Sequence, residues 1–141
     1  MAWWNVRKII RFSHCDPAGI VYYPRYFDLL HEAKEDWLRD AVGVGLPALI
    51  GTRRQGLPIV RLETDFHAPS RMGDEVEVAV GVARVGGASL GLDYTIHCRD
   101  ERRLSARTVL VHIDLATGRP VPIEDKLRAR LAPFAITTEE A

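Results

Sequence analysis

One long amphipathic helix limits the fold of this sequence more than any other feature. From Pro24 the apolar residues recur at spacings of three and four, the period of a helix with one buried face. Proline suits the first turn of a helix, and Gly43 is typical of a helix end. The apolar stripe comprises Tyr26, Leu30, Ala33, Trp37 and Ala41, widened by Phe27, Leu38 and Val42. We therefore predict a helix of about five turns over residues 24–42.

The rest of the sequence has the alternating pattern of strands. The predicted strands span residues 4–12, 57–67, 75–85, 89–99 and 104–115, with a short helical piece at 46–50, a loop at 51–56 and a C-terminal helix at 123–131. Gly86-Gly87 and Asp100-Glu101 predict turns between the later strands. Only the helix over 24–42 is long enough to cover a sheet. We therefore predict an α+β fold, with a curved antiparallel sheet wrapped around one central helix.

Composition limits the possible partners. The chain has 141 residues, and we expect a single domain over residues 1–141. Lysine plus arginine number 19, as do aspartate plus glutamate, so no net charge favours nucleic acid or an anionic membrane. No segment approaches the ~20 apolar residues of a spanning helix, and no signal peptide is evident. We expect a cytoplasmic protein with Cys15 and Cys98 as free thiols.

A single carboxylate lies in the bent segment that leads into the helix. Asp16 stands between proline and glycine residues, close to the predicted helix N-terminus. A carboxylate beside a helix N-terminus can attack a carbonyl compound while the helix polarises the carbonyl oxygen. Asp-Pro is also common in turns that have no catalytic role. Spacing alone leaves both interpretations open.

The segment His14-Cys15-Asp16-Pro17-Ala18-Gly19-Ile20-Val21-Tyr22-Tyr23-Pro24 closely resembles the active-site signature of the 4-hydroxybenzoyl-CoA thioesterase family, which has the hotdog fold. The order of predicted elements also agrees along nearly the whole chain, and the segments 57–60 and 66–74 are similar to the family. The resemblance implies an acyl-CoA thioesterase with no cofactor, since coenzyme A belongs to the substrate. It also implies homodimers that often pair into tetramers, with active sites at the subunit interface.

The resemblance assigns roles to residues of this segment. It implies that Asp16 is the catalytic carboxylate and that the backbone N–H of Tyr23 polarises the thioester carbonyl. Asp16 then either attacks the carbonyl carbon, forming a mixed anhydride, or deprotonates a water; both mechanisms stay open. We expect Gly19 to let the backbone approach the acyl group closely.

Three further residues are candidates for substrate binding. His14 would share a face with Asp16 in a strand-like segment, so it either tunes Asp16 or is a hydrogen-bonded residue at a strand end. His31 replaces an aspartate that binds the ring hydroxyl in the hydroxybenzoyl-specific relatives; its alternative place is the dimer interface. Leu57 replaces a threonine of those relatives. Both replacements make the acyl pocket less fitted to a para-hydroxyl group.

Charged side chains elsewhere give weaker indications. The basic cluster that binds coenzyme A phosphates in the relatives is missing near Gly86-Gly87. Possible substitutes, each equally interpretable as a surface charge, are Arg84, Arg102, Arg103, Arg119, Lys126 and Arg128. Glu63, Asp65 and His67 alternate on one strand, which favours solvation or interface pairing over a metal site. We expect no bound metal.

Taken together, the residues and the resemblance predict hydrolysis of an aromatic acyl-CoA, of hydroxybenzoyl or benzoyl type, to free acid and coenzyme A. The alternatives are a hotdog enzyme acting on short aliphatic acyl-CoA or acyl-carrier protein, a hydratase, and a non-catalytic acyl-CoA binding module.

Overall fold

The computed structural model describes residues 2–137; residue 1 and residues 138–141, the outer ends of the predicted domain, lie outside this range. The strands are β1 (Trp4–Ile9), β2 (Gln55–Gly56), β3 (Ile59–Phe66), β4 (Glu75–Val85), β5 (Ser89–Cys98), β6 (Glu101–Val111) and β7 (Ile113–Asp114). The α-helices are α1 (Arg25–Trp37) and α2 (Asp125–Leu131). Short 3-10 turns cover Phe12–His14 and Ala132–Phe134, and π-helical turns cover Leu38–Val42 and Pro47–Thr52.

Five antiparallel strands form the main sheet, in the order β1-β4-β5-β6-β3, while β2 pairs separately with β7. The register places Val78 opposite Ile96 and Ile96 opposite Leu104, so apolar residues of neighbouring strands lie side by side. The alternating residues predicted to share a face in β4 and β5 are all buried. They form the apolar sheet face against which α1 packs, and the predicted α+β fold is confirmed.

The long helix agrees with the prediction in extent. α1 continues through the π-helical turn to Val42, and Gly43 ends it with φ of 86°. The buried face is wider than the predicted stripe, because Leu29 and Lys34 are buried as well. Lys34 lies outside the predicted stripe, and its burial lowers the pKa of the ammonium group through desolvation.

Contacts at the flanks hold α1 in place on the sheet. Lys8 of β1 pairs with Asp36 at 3.0 Å and with Glu32 at 3.8 Å, both on α1. At the last residue of α1, Trp37 packs edge-on against Phe134, with ring centroids 5.6 Å apart. These contacts fix the C-terminal half of α1 against β1 and against the turn at Ala132–Phe134.

Some predicted boundaries are wrong for identifiable reasons. β1 ends at Ile9 rather than residue 12, because Ile10 exchanges backbone hydrogen bonds with the turn at residues 73–74. The strand predicted over 104–115 starts earlier, as β6, and is interrupted at His112. After His112, β7 pairs with β2, which lies within the segment 51–56 that we predict as a loop. His112 is fully buried and contacts Gln55 Oε1 through Nε2 at 3.0 Å.

β3 lies at one edge of the sheet, and α1 does not cover it. Its apolar side chains Ile59, Val60, Leu62 and Phe66 are between 42% and 62% exposed. An edge strand with uncovered apolar side chains is an unusual surface for an isolated chain. Separately, no helix within residues 2–137 combines the length and the apolar character needed to cross a membrane.

Candidate active site

The segment between β1 and α1, residues 14–23, folds into a compact loop, here called the Asp16 loop. Its two sides pair with each other: the Asp16 N–H donates to Ile20 O at 2.9 Å, and the Tyr22 N–H donates to His14 O at 2.9 Å. Gly19 stands at the bend with φ of 80°. A Cβ added there would meet no atom within 4 Å, so the conformation, and not space, favours glycine.

The carboxylate of Asp16 is held by its own loop. One oxygen, Oδ1, accepts the Ala18 N–H at 2.9 Å, the arrangement of an Asx turn. The side chain is partly buried, and within residues 2–137 it forms no ion pair. The second carboxylate oxygen accepts no hydrogen bond from those residues. The loop therefore fixes the carboxylate and leaves one oxygen for chemistry.

The backbone N–H groups at the start of α1 have different partners. Arg25 donates to Tyr22 O at 2.8 Å, Tyr26 to Tyr23 O at 3.2 Å, and Phe27 to Pro24 O at 3.1 Å. Pro24 has no N–H, and the Tyr23 N–H finds no acceptor among the described residues. An unpaired N–H at the positive end of a helix is suited to bind a negatively charged oxygen. It is the donor that the sequence resemblance implied.

A turn at residues 69–74, here called the 69–74 turn, supports the Asp16 loop. Val21 donates to Ser70 O at 2.9 Å, and Met72 donates to Gly19 O at 3.1 Å. The Ser70 N–H in turn donates to the hydroxyl of Tyr26 at 3.1 Å. Ser70 is fully buried. Sequence reasoning did not identify Ser70 as part of the site, because its partners are distant in the chain.

Aromatic side chains form an open hollow of about 310 Å³ beside the Asp16 loop. Tyr23 and Phe66 meet edge to face with centroids 6.4 Å apart, and Tyr26 lies 5.8 Å from Phe66. Val21, Ala68 and Pro69 complete the apolar lining. Tyr23 and Phe66 remain half-exposed, so their rings are available to contact a flat apolar group.

His14 does not lie in a strand-like segment. It ends the 3-10 turn, and its Nδ1 accepts the Arg11 N–H at 2.9 Å. Within the described chain it forms no hydrogen bond with Asp16. These contacts agree with the interpretation of His14 as a hydrogen-bonded residue close to the end of β1, and they give no direct route by which it would tune the carboxylate.

Within one chain, His31 shares a hollow with the Asp16 loop only through His14, and Leu57 lines a separate cavity. His31 is half-exposed on α1 and pairs with Glu35 through Nε2 at 2.7 Å. It lines a shallow hollow that also includes His14. Leu57 lines a small aliphatic cavity near the end of the long helix, with Leu38 and Leu49, and no residue of the Asp16 loop reaches that cavity. Their binding roles stay predictions.

The charged candidates differ in how far they are engaged. Arg103 pairs with Asp74 at 2.8 Å, and Arg128 donates to Gly86 O at 2.9 Å, so both have structural partners. Of the six cations considered for coenzyme A binding, the other four are exposed: Arg84, Arg102, Arg119 and Lys126. His67 contacts Ser105 Oγ at 2.8 Å, and Glu63 pairs with Arg61. Residues 2–137 contain no group of three or more histidine, cysteine or acidic side chains placed to hold a metal.

Comparison with known proteins identifies the family. The model of the thioesterase-like superfamily matches residues 10–131, which include the Asp16 loop, α1 and the main sheet beyond β1. The chain belongs to the thioesterase-like superfamily. The predicted hotdog fold and the prediction of a thioester hydrolase are therefore confirmed. The narrower assignment to the 4-hydroxybenzoyl-CoA family stays a prediction.

Relatives within this superfamily are similar over most of their length. A 1,4-dihydroxy-2-naphthoyl-CoA hydrolase of Synechococcus elongatus is 28% identical over 129 residues, covering 91% of this chain and 94% of that protein. The structure of a 1,4-dihydroxy-2-naphthoyl-CoA thioesterase from Synechocystis superimposes with a TM-score of 0.84 at 24% identity, covering 93% and 96% of the two chains. A gentisyl-coenzyme A thioesterase superimposes with a TM-score of 0.79 at 26% identity, covering 92% and 98%.

Proposed function

We propose that this thioesterase hydrolyses an aromatic acyl-CoA to the free acid and coenzyme A. The observation that carries the proposal is the junction between the Asp16 loop and α1. There one short segment holds a carboxylate fixed through one oxygen and the backbone N–H of Tyr23, which has no acceptor within residues 2–137. The reaction needs an attacking or basic group and a donor for the developing oxyanion, and these two groups would supply both.

Two mechanisms are compatible with these groups. Asp16 attacks the thioester carbonyl carbon, coenzyme A leaves as its thiolate, and water then cleaves the mixed anhydride, regenerating the carboxylate. Alternatively, Asp16 takes a proton from a water that attacks the carbonyl carbon directly; the tetrahedral intermediate then collapses and coenzyme A leaves as its thiolate. In both, the carbonyl oxygen becomes negative and accepts a hydrogen bond from the Tyr23 N–H. Loss of one such donor raises the barrier by about 3–4 kcal/mol in comparable sites.

The aromatic hollow supports an aromatic acyl group. Tyr23 and Phe66 offer ring faces and edges against which a planar substrate ring can stack, while the buried ring of Tyr26 packs against Phe66. The named activities of the relatives, on dihydroxynaphthoyl-CoA and gentisyl-CoA, agree with this choice. His31, which replaces the hydroxyl-binding aspartate implied by the resemblance, is paired with Glu35, so we propose no specific partner for a ring hydroxyl.

We also propose that the active enzyme is a homodimer, or a tetramer of two dimers, in which the β3 edge faces the partner. The uncovered apolar side chains of β3 include Phe66, which lines the aromatic hollow, so an association at this edge would close the hollow.

Sedimentation velocity tests this arrangement. Leu62→Lys should give monomers with little activity, whereas Ile50→Lys, at an exposed apolar residue away from β3, should sediment like the wild type. A wild-type monomer with full activity would contradict it.

A substrate series tests the proposed activity. Thiol release is measured for benzoyl-CoA, 4-hydroxybenzoyl-CoA, 1,4-dihydroxy-2-naphthoyl-CoA, butyryl-CoA and a butyryl-acyl-carrier protein. We expect the aromatic substrates to have the higher kcat/KM, and Phe66→Leu to reduce the preference for aromatic over aliphatic substrates by about 3- to 10-fold, the worth of an aromatic pair. Equal or faster turnover of the butyryl thioesters would contradict the aromatic assignment, and tight binding without thiol release would contradict hydrolysis.

A further inference from the structure

The position of the Asp16 loop depends on the 69–74 turn, and the sheet holds that turn through a side chain. The turn supplies Ser70 O to the Val21 N–H and the Met72 N–H to Gly19 O. These contacts are made by the stretch of the loop between Asp16 and Tyr23. Any displacement of the turn would therefore move the backbone that joins the carboxylate to the oxyanion donor.

Arg103 of β6 makes the side-chain contacts that fasten this turn. Its Nη1 donates to Pro69 O at 3.1 Å, to Ser70 Oγ at 3.2 Å and to Asp74 Oδ2 at 2.8 Å. The guanidinium thus joins the beginning and the end of the turn. The Arg103 side chain is only 12% exposed, and it also pairs with Glu101. The guanidinium uses two of its nitrogens, Nη1 for the turn and Nε for Glu101, and the single nitrogen of a lysine cannot hold both positions.

Asp74 is the acidic partner in this arrangement. Its Oδ2 also accepts the Arg71 N–H at 2.9 Å, and its backbone carbonyl accepts the Ile10 N–H at 2.9 Å. Burial alone would raise the pKa of Asp74, but the hydrogen bonds from the Arg71 N–H and the Arg103 guanidinium outweigh it and lower the pKa. Arg103 and Asp74 thus connect the turn both to β6 and to the end of β1.

We propose that Arg103 is a positioning residue for catalysis: it fixes the 69–74 turn, the turn fixes Gly19 and Val21, and these fix the separation of Asp16 from the Tyr23 N–H. The inference rests on the proposed function of those groups. Within residues 2–137 Arg103 makes no hydrogen bond or ion pair with the Asp16 loop itself. Its loss should therefore disturb the geometry of the reacting groups, and so kcat, more than it disturbs substrate binding.

The variants Arg103→Met and Arg103→Lys test this, with Arg107→Met as the matched control. Arg107 also lies on β6, but it is exposed and its nearest acid, Asp93, is 3.7 Å away. We expect Arg103→Met to lower kcat about 10- to 100-fold, as small misplacements of reacting groups do, with little change in KM. Arg103→Lys should fall between Arg103→Met and the wild type, and Arg107→Met should behave like the wild type.

Amide hydrogen exchange supplies a readout that does not depend on activity. In Arg103→Met the Val21 and Met72 amides should lose protection, while amides of β4 and β5 keep theirs. Unchanged exchange at Val21 and Met72, or wild-type kcat, would overturn the inference. A fall in kcat that is fully explained by a lower fraction of folded protein would also overturn the inference. If Arg103→Met does not fold, Asp74→Asn is measured in the same two ways. An active Asp16→Asn enzyme would refute the proposed function, whereas exchange would still decide whether Arg103 holds the loop.

Discussion

The hydrogen bond between the Tyr26 hydroxyl and the Ser70 N–H offers a sharp test of how the site is supported. Tyr26 is 4% exposed and Ser70 is fully buried, so water cannot replace the hydroxyl after Tyr26→Phe. The phenyl ring keeps its packing against Phe66, and only the acceptor is lost. A buried N–H left without a partner costs about 1–3 kcal/mol. We expect the free energy of unfolding to fall by that amount.

Urea unfolding at a fixed protein concentration measures this loss, because association would otherwise contribute to stability. With a typical m-value, a fall of about 2 kcal/mol lowers the urea midpoint by about 1 M. Tyr22→Phe is the matched control, since Tyr22 is half-exposed and its hydroxyl has no partner in residues 2–137; it should change stability by less than about 0.5 kcal/mol. Equal midpoints for Tyr26→Phe and Tyr22→Phe would refute the assignment of this bond.

Two further predictions concern the Asp16 loop and its support. Gly19→Ala should lose about 1–2 kcal/mol because of the left-handed φ of 80°, whereas Gly87→Ala, with open space and no such φ, should not; equal unfolding midpoints would contradict this. The pKa of Asp74 is lowered on folding, so its contribution to stability is present above the unfolded value of 3.8 and is lost as the pH falls below it. Asp74→Asn should therefore be less stable than wild type at pH 7 and approach it in acid; a gap in urea stability independent of pH would contradict the prediction.

The parts of the site that the sequence predicts are those close together in the chain. Asp16, Gly19 and Tyr23 lie within one short segment, and the structure places them in the predicted loop at the predicted helix start. The alternation of β4 and β5 likewise predicts their buried faces, because the period of a strand is a local property.

The parts that the sequence does not predict depend on pairings between distant segments. Ser70 and Arg103 support the Asp16 loop only because β6 lies beside the 69–74 turn, which no local pattern reveals. Lys34 is absent from the predicted apolar stripe because it carries a charge, although the aliphatic part of a lysine can be buried. The strand predicted over residues 4–12 ends at Ile9, because Ile10 pairs with the turn at residues 73–74 instead.

The most direct test of the account is the turnover of Asp16→Asn. The asparagine oxygen can still accept the Ala18 N–H, so the loop should keep its shape while the charge is lost. With saturating aromatic acyl-CoA, we expect thiol release to fall about 10²- to 10⁴-fold. Asp28→Asn, an exposed carboxylate on the first turn of α1 paired with Arg25, should keep nearly the wild-type rate. Thiol release by Asp16→Asn at a rate close to that of the wild type would contradict the central claim.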